Sequence, residues 1–248
     1  MNRYSYTRNN PLKYNDPTGH AEECGDNNDT CEDFWDEDSE IAFYRNLLED
    51  RYNWTLDGDY SLDELRKMYF EATSIQEYVD NITNGNGLEW MRVYLGNVTI
   101  KPGVPNTITE RGMGLPNTVY ISPDYLKKPG HLIHELGHIW DWRTSTECSG
   151  RCANGAAGGV SDSIINVLHR GKNPLSAGVS CRWCDGSEKK YIPKEYQFSP
   201  SKNYGNNSTM DYLAETFRLS VQSAGGGAPQ SARLIMEYYI KEQAAHLP

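Results

Sequence analysis

The stretch HLIHELGHIWDW, residues 131–142, decides how the chain is read, because His134-Glu135-Leu136-Gly137-His138 spells H-E-x-x-H. On a helix, residues four apart lie on one face, so His134 and His138 can present ring nitrogens to one metal ion. Two imidazoles and one further ligand leave a fourth tetrahedral position on Zn2+ open to water. Glu135, one step round the helix, is then placed as general base: the metal acidifies the water, Glu135 accepts its proton, and a carbonyl is attacked. Leu132, Ile133, Leu136, Ile139, Trp140 and Trp142 make the segment apolar. It therefore reads as a core helix, in which two histidines and a glutamate need partners. Asp141, three residues after His138, is placed to accept that histidine's other ring proton.

A two-histidine site requires an acidic ligand from a second element. YGNNSTMDYLAETFRLSVQS, residues 204–223, supplies candidates: Asp211 and Glu215 stand four apart, with Leu213, Phe217 and Val221 as an apolar face. Spacing alone leaves open which carboxylate reaches the metal.

The remainder is a mixed α and β pattern. Residues 38–82 read as helical: Ile41, Tyr44, Leu47 and Leu48 fall at helical spacing, and Ser61 with Glu64 forms a capping box. Asn84-Gly85-Asn86-Gly87 closes the region. Residues 88–122, rich in β-branched and aromatic side chains and broken by Gly and Pro, read as strands. Their last member, NTVYIS, is either an ordinary core strand or a sheet edge open to an extended peptide. Residues 145–203 read as a Gly/Ser/Cys-rich wall with one helical piece, SDSIINVLHR, whose His169 reads as a surface residue. A closing amphipathic helix carries Ala232, Ile235, Met236 and Tyr239.

Composition narrows the function. The chain has 248 residues and a net charge of −10, which argues against nucleic acid or an anionic membrane as partner. Mean hydropathy is −0.72, and no apolar run is long enough for a membrane span. The N-terminus lacks the apolar core of a signal peptide, so export would depend on another device. Much of the negative charge sits in EECGDNNDTCEDFWDEDSE, residues 22–40, which reads as a solvated tether. Six cysteines are clustered: Cys24 and Cys31, Cys148 and Cys152, Cys181 and Cys184. The last four suit either local disulfides or a structural zinc.

Two resemblances extend this reading. Residues 1–20, MNRYSYTRNNPLKYNDPTGH, resemble the terminal signature of Rhs-repeat core proteins, P-x4-D-P-x-G, here Pro11, Asp16, Pro17 and Gly19. In that family the signature ends a β-rich shell that encloses a variable toxin domain and cuts the chain just after it, here near His20. HELGHIWDW with YGNNSTMDYLAETFRL resembles the catalytic domains of anthrax lethal factor and the secreted Pro-Pro endopeptidases. There H-E-x-G-H is followed by a tyrosine, seven residues later by a zinc-binding glutamate, and four later by a second glutamate. Tyr204, Asp211 and Glu215 occupy those positions, and Ala214, Phe217, Arg218 and Leu219 also match. The resemblance implies that His134, His138 and Asp211 bind zinc. It makes Glu135 the base, Tyr204 the oxyanion stabiliser, and Glu215 the support of a ligand. Asp211 departs from the family's glutamate. Either its helix sits closer to the metal, or Glu215 reaches it instead.

These lines give an α+β, zincin-like metallopeptidase: a helical N-terminal part, a small mixed sheet, the HExxH helix and a C-terminal ligand helix. The expected division is 1–20 as Rhs linker, 21–37 as acidic tether and 38–248 as catalytic domain. The expected activity is a zinc endopeptidase acting as the toxin of an Rhs protein, secreted and delivered into a target cell. Its expected partners are a protein substrate, a cognate immunity protein and the Rhs shell. A zinc amidase acting on cell-wall peptide or a small amide, and a non-enzymatic binding toxin with a structural metal, are the rival classes.

Overall fold

The computed structural model describes residues 36–103, 113–115 and 117–144, positions 160, 161, 164, 168 and 198, and residues 209–223 and 227–248. The linker and most of the tether, Tyr204, His169 and all six cysteines lie outside the described residues. The chain divides into Met1–Asp36 and Glu37–Pro248, and every element below belongs to the second unit.

Helix α1 (Glu37–Asn46) runs into a wider turn, Leu47–Arg51, and buries Tyr44 and Leu48 at the spacing the sequence predicts. Asn53 then takes φ 57°, which stops the helix; asparagine tolerates this left-handed region better than most residues. A short strand follows, β1 (Trp54–Leu56), within the region expected to be helical throughout. Asn97, at φ 53°, starts β2 (Val98–Pro102) in the same way. The two asparagines pair, Asn97 N–H donating to Asn53 O at 2.6 Å and Asn53 Nδ2 to Asn97 Oδ1 at 2.9 Å. That pairing sets the parallel register Trp54↔Val98.

Between them lie α2 (Leu62–Thr83) and α3 (Gly87–Tyr94). The capping box forms as predicted: Ser61 Oγ accepts from Glu64 N–H, and Glu64 Oε2 accepts from Ser61 N–H at 2.8 Å. Ser61→Ala is expected to cost about 1 kcal/mol, read as a lowered midpoint in thermal unfolding. Helix α3 corrects the expectation of strand from residue 88 onward. Trp90 and Met91 are buried, and the packing gained on this face overrides the strand preference of Trp90 and its neighbours Val93 and Tyr94. Gly87 fits this entry because an added Cβ would lie 2.3 Å from Gln76 O, while its N–H donates to Asp80 Oδ1 at 2.6 Å.

The sheet is completed by β3 (Met113–Leu115) and β4 (Thr118–Ile121), in the order β1-β2-β4-β3. Three strands are parallel, and β3 runs antiparallel to β4 with Met113↔Tyr120 in register. The strand NTVYIS is therefore interior. The chain doubles back before it, so the edge on that side is β3.

A short α4 (Pro123–Leu126) leads to α5 (His131–Thr144), the H-E-x-x-H helix. It packs more extensively on α6 (Thr209–Gln222) than any other described pair of elements do on each other. The apolar face read for α6 is buried: Leu213, Phe217 and Val221. Trp90, Trp140 and Phe217 form one aromatic cluster, with ring centroids 5.3–6.4 Å apart. Both indole N–H groups donate to Gln243 Oε1 at 3.0 Å. Gln243 belongs to the closing helix α7 (Gln230–Ala244), so that helix is tied directly to α5. Val160, Ser161, Ile164 and Leu168 are helical and buried, in keeping with the helical piece expected there. The architecture is a helix-rich α+β fold with a small sheet.

Candidate metal centre

The first-turn N–H groups of a helix have no acceptor within the helix. At α5 the carboxylate of Glu71, from α2, receives them: Gly130 N–H donates to Oε1 at 2.7 Å and Ile133 N–H to Oε2 at 3.3 Å. Glu71 is only 2 % exposed, and Lys67 Nζ lies 3.2 Å from it. Burial raises its pKa above the ordinary glutamate value, against the opposing pull of these hydrogen bonds and of Lys67. The other end of α5 is held by Arg143, which donates to the carbonyls of Tyr94 and Gly96 and to Asn117 Oδ1. The helix that carries the motif is thus fixed at both ends by charged side chains.

On it, the structure brings His134 and His138 together with Asp211 of α6. All three are buried, and one ligand atom from each lies within 4.8 Å of the others. The imidazoles meet nearly edge to face, with ring centroids 4.9 Å apart. His138 Nε2 stands 3.4 Å from Asp211 Oδ1. Two donors bound tetrahedrally to one Zn2+ at about 2.0–2.1 Å are themselves about 3.3 Å apart. The donor chemistry and this spacing fit a metal, and the cluster could hold one. Glu135 is also buried.

Glu215 does not belong to that three-atom cluster. Arg218 grips its carboxylate with two hydrogen bonds, Nε to Oε2 at 2.8 Å and Nη2 to Oε1 at 2.6 Å. Its Oε2 also lies 3.4 Å from His134 Nδ1. Burial would raise the Glu215 pKa, but the hydrogen bonds from Arg218 and His134 and their charges outweigh it and hold the carboxyl well below the usual range. For His134, burial works against the charged form. The Glu215 hydrogen bond and the charges of Glu135, Asp211 and Glu215 override it, and its pKa is raised. His131, the third histidine of the segment, is elsewhere: its ring stacks on Tyr125 at 4.9 Å, and burial lowers its pKa to about 4.

Asp141 is fully buried, and its two carboxylate oxygens accept from Ser161, N–H at 2.9 Å and Oγ–H at 2.7 Å. It ties the segment after α5 back onto the metal helix. Tyr204 lies outside the described residues.

Two features were missed in the sequence. Glu71 and Lys67, four apart on α2, resemble a surface ion pair, yet Glu71 falls on the stripe of Leu65, Met68, Ala72 and Ile75. That position was the available signal. The second is a close approach of α5 and α6, where a Cβ on Gly137 would lie 2.9 Å from Ala214 Cα. No protein-family model matches the chain, and no curated protein matches it.

Proposed function

We propose that the chain is a zinc endopeptidase and the toxin domain of an Rhs protein, delivered into a target cell where it cleaves a protein. The observation that carries the enzymatic reading is the convergence of His134, His138 and Asp211 beside Glu135 on two packed helices. When bound, zinc acidifies a water and polarises the scissile carbonyl. Glu135 takes the proton from the attacking water and returns it to the leaving amine. Glu215 accepts from His134 Nδ1–H, which directs Nε2 to the ligand position. Arg218 keeps Glu215 ionised and engaged away from that position. Tyr204 stabilises the developing oxyanion, a role taken from the resemblance. An extended substrate pairs with β3, the edge strand that lies against α5, β1 being the other edge. The Rhs shell, the site of release near His20 and a cognate immunity protein rest on the sequence signature of residues 1–20.

The test is toxicity on intracellular expression of wild type and Glu135→Gln, with zinc content measured on both purified proteins. The variant is expected to keep its zinc and lose toxicity, since removing a general base costs about 10²–10⁴-fold in rate. A variant that stays fully toxic would move the protein to the class of binding toxins with a structural metal.

A further inference from the structure

Three of the chain's six histidines, His131, His134 and His138, stand on one stripe of α5, at i, i+3 and i+7. The metal centre uses the last two. His131 lies one turn nearer the start of the helix and is half-buried. Its Nδ1 is enclosed and has no hydrogen-bond partner among the described residues. An N–H at that position would be buried without an acceptor, which is costly. The proton of the neutral ring therefore sits on Nε2 and makes that nitrogen a donor. Burial, aided by nearby cationic groups that include Lys128 and Arg218, keeps the ring neutral.

Tyr125 joins this histidine to a lysine. The His131 ring stacks on Tyr125 with centroids 4.9 Å apart and planes 28° apart. Lys128 Nζ lies 4.0 Å from the centre of the same tyrosine ring. The neighbouring cations are neutralised: Lys127 faces Asp124 at 3.6 Å, and Arg218 holds Glu215 at 2.6 Å. Lys128 is exposed and faces no carboxylate among the described residues. An unpaired ammonium held on an aromatic ring, beside a neutral imidazole donor, suits a carboxylate. One oxygen would accept from His131 Nε2–H and the other would pair with Lys128, each a charge-assisted hydrogen bond. Side chains three apart on a helix have Cβ atoms about 5–6 Å apart, and an extended peptide advances about 3.3 Å per residue. A group beside His131 therefore belongs to a residue close to the one held at the metal.

We propose that Lys128 and His131, presented by Tyr125, form a specificity subsite that takes an acidic side chain of the protein substrate, within about three residues of the bond that is cut. The subsite rests on the endopeptidase reading of the metal centre and adds the class of segment that is cleaved.

The probe is a proteome-derived peptide library, digested by purified, zinc-loaded full-length chain, with the new termini read by mass spectrometry. For wild type, Asp and Glu are expected to be enriched about 3- to 10-fold over the library at one position near the cut, the range spanned by exposed ion pairs and hydrogen bonds to charged groups. Lys128→Glu is expected to remove that enrichment and to favour Lys and Arg at the same position. His131→Ala should reduce the acidic enrichment while cutting continues. A merely structural role for these side chains predicts slower cutting of every sequence with the preference unchanged. Wild type that cuts without an acidic preference, or Lys128→Glu that keeps it, overturns the subsite and leaves the peptidase standing. Wild type that binds zinc and cuts no peptide overturns the endopeptidase reading, and the subsite with it.

Discussion

Asp211→Asn is expected to abolish zinc retention, while Glu215→Gln keeps the metal with affinity reduced by about 10- to 100-fold. Asparagine matches the shape of aspartate but offers a neutral carbonyl oxygen in place of a carboxylate. In a buried site with two neutral imidazoles, that removes the one anionic ligand. Glu215 acts at one remove: it faces His134 Nδ1 and is held by Arg218. A glutamine can still accept from His134, so ring orientation survives while the charge is lost. Metal analysis after dialysis, followed by chelator competition, separates the two cases. Zinc retained by Asp211→Asn and lost by Glu215→Gln would exchange the roles of the two carboxylates. Acid stability supplies a second readout on metal-free protein. The Glu215 pKa is depressed on folding, so its contribution is in full above the ordinary glutamate value of 4.5 and is lost as pH falls towards the folded value. The acid limb of the stability curve should be flatter in Glu215→Gln.

The cluster of His134, His138 and Asp211 that could hold a metal was legible in the sequence because helical geometry is local. His134 and His138 had to share a face once α5 formed, and Asp211 and Glu215 likewise on α6. What spacing could not decide was the choice between those two carboxylates. That depends on the distance between two helices some seventy residues apart in sequence and on Arg218, whose grip on Glu215 is a matter of side-chain geometry. The same division runs through the fold. The capping box at Ser61 and the stop at Asn84 are local signals, and both form. Helix α3 was read as strand because Trp90, Val93 and Tyr94 favour strands intrinsically, whereas burial of Trp90 and Met91 against α2 and of Trp90 in the Trp140–Phe217 cluster decides the conformation of the segment. Strand β1 was hidden by its length of three residues and by neighbours with helical spacing. The interior place of NTVYIS follows from β3, whose pairing is set by a reversal of the chain that hydrophobic periodicity does not encode.

Glu71→Ala is expected to destabilise the protein by about 3–5 kcal/mol, the range for removing one partner of a buried charged network. The change strands the Gly130 and Ile133 N–H groups at the start of α5, and a buried donor left without an acceptor costs about 1–3 kcal/mol. It also leaves Lys67 without its carboxylate and a cavity beneath the metal helix. Against a typical total stability of about 5–15 kcal/mol, such a loss is large. Glu71→Gln should be far milder, because its amide oxygen can still accept from Gly130 and it carries no buried charge. The sign of the pH effect follows from the raised pKa. The folded protein holds this proton more tightly than the unfolded chain, so the contribution of Glu71 to stability falls as pH rises from 4.5 through the folded value. Glu71→Gln should lack that fall. Urea unfolding of the three proteins across this pH range measures both effects, and an alanine variant within about 1 kcal/mol of wild type would remove Glu71 as the anchor of α5. Because His134 follows Ile133 directly, loss of that anchor should also loosen this proposed metal ligand, and, if the proposed site binds zinc, zinc affinity should fall in parallel with stability.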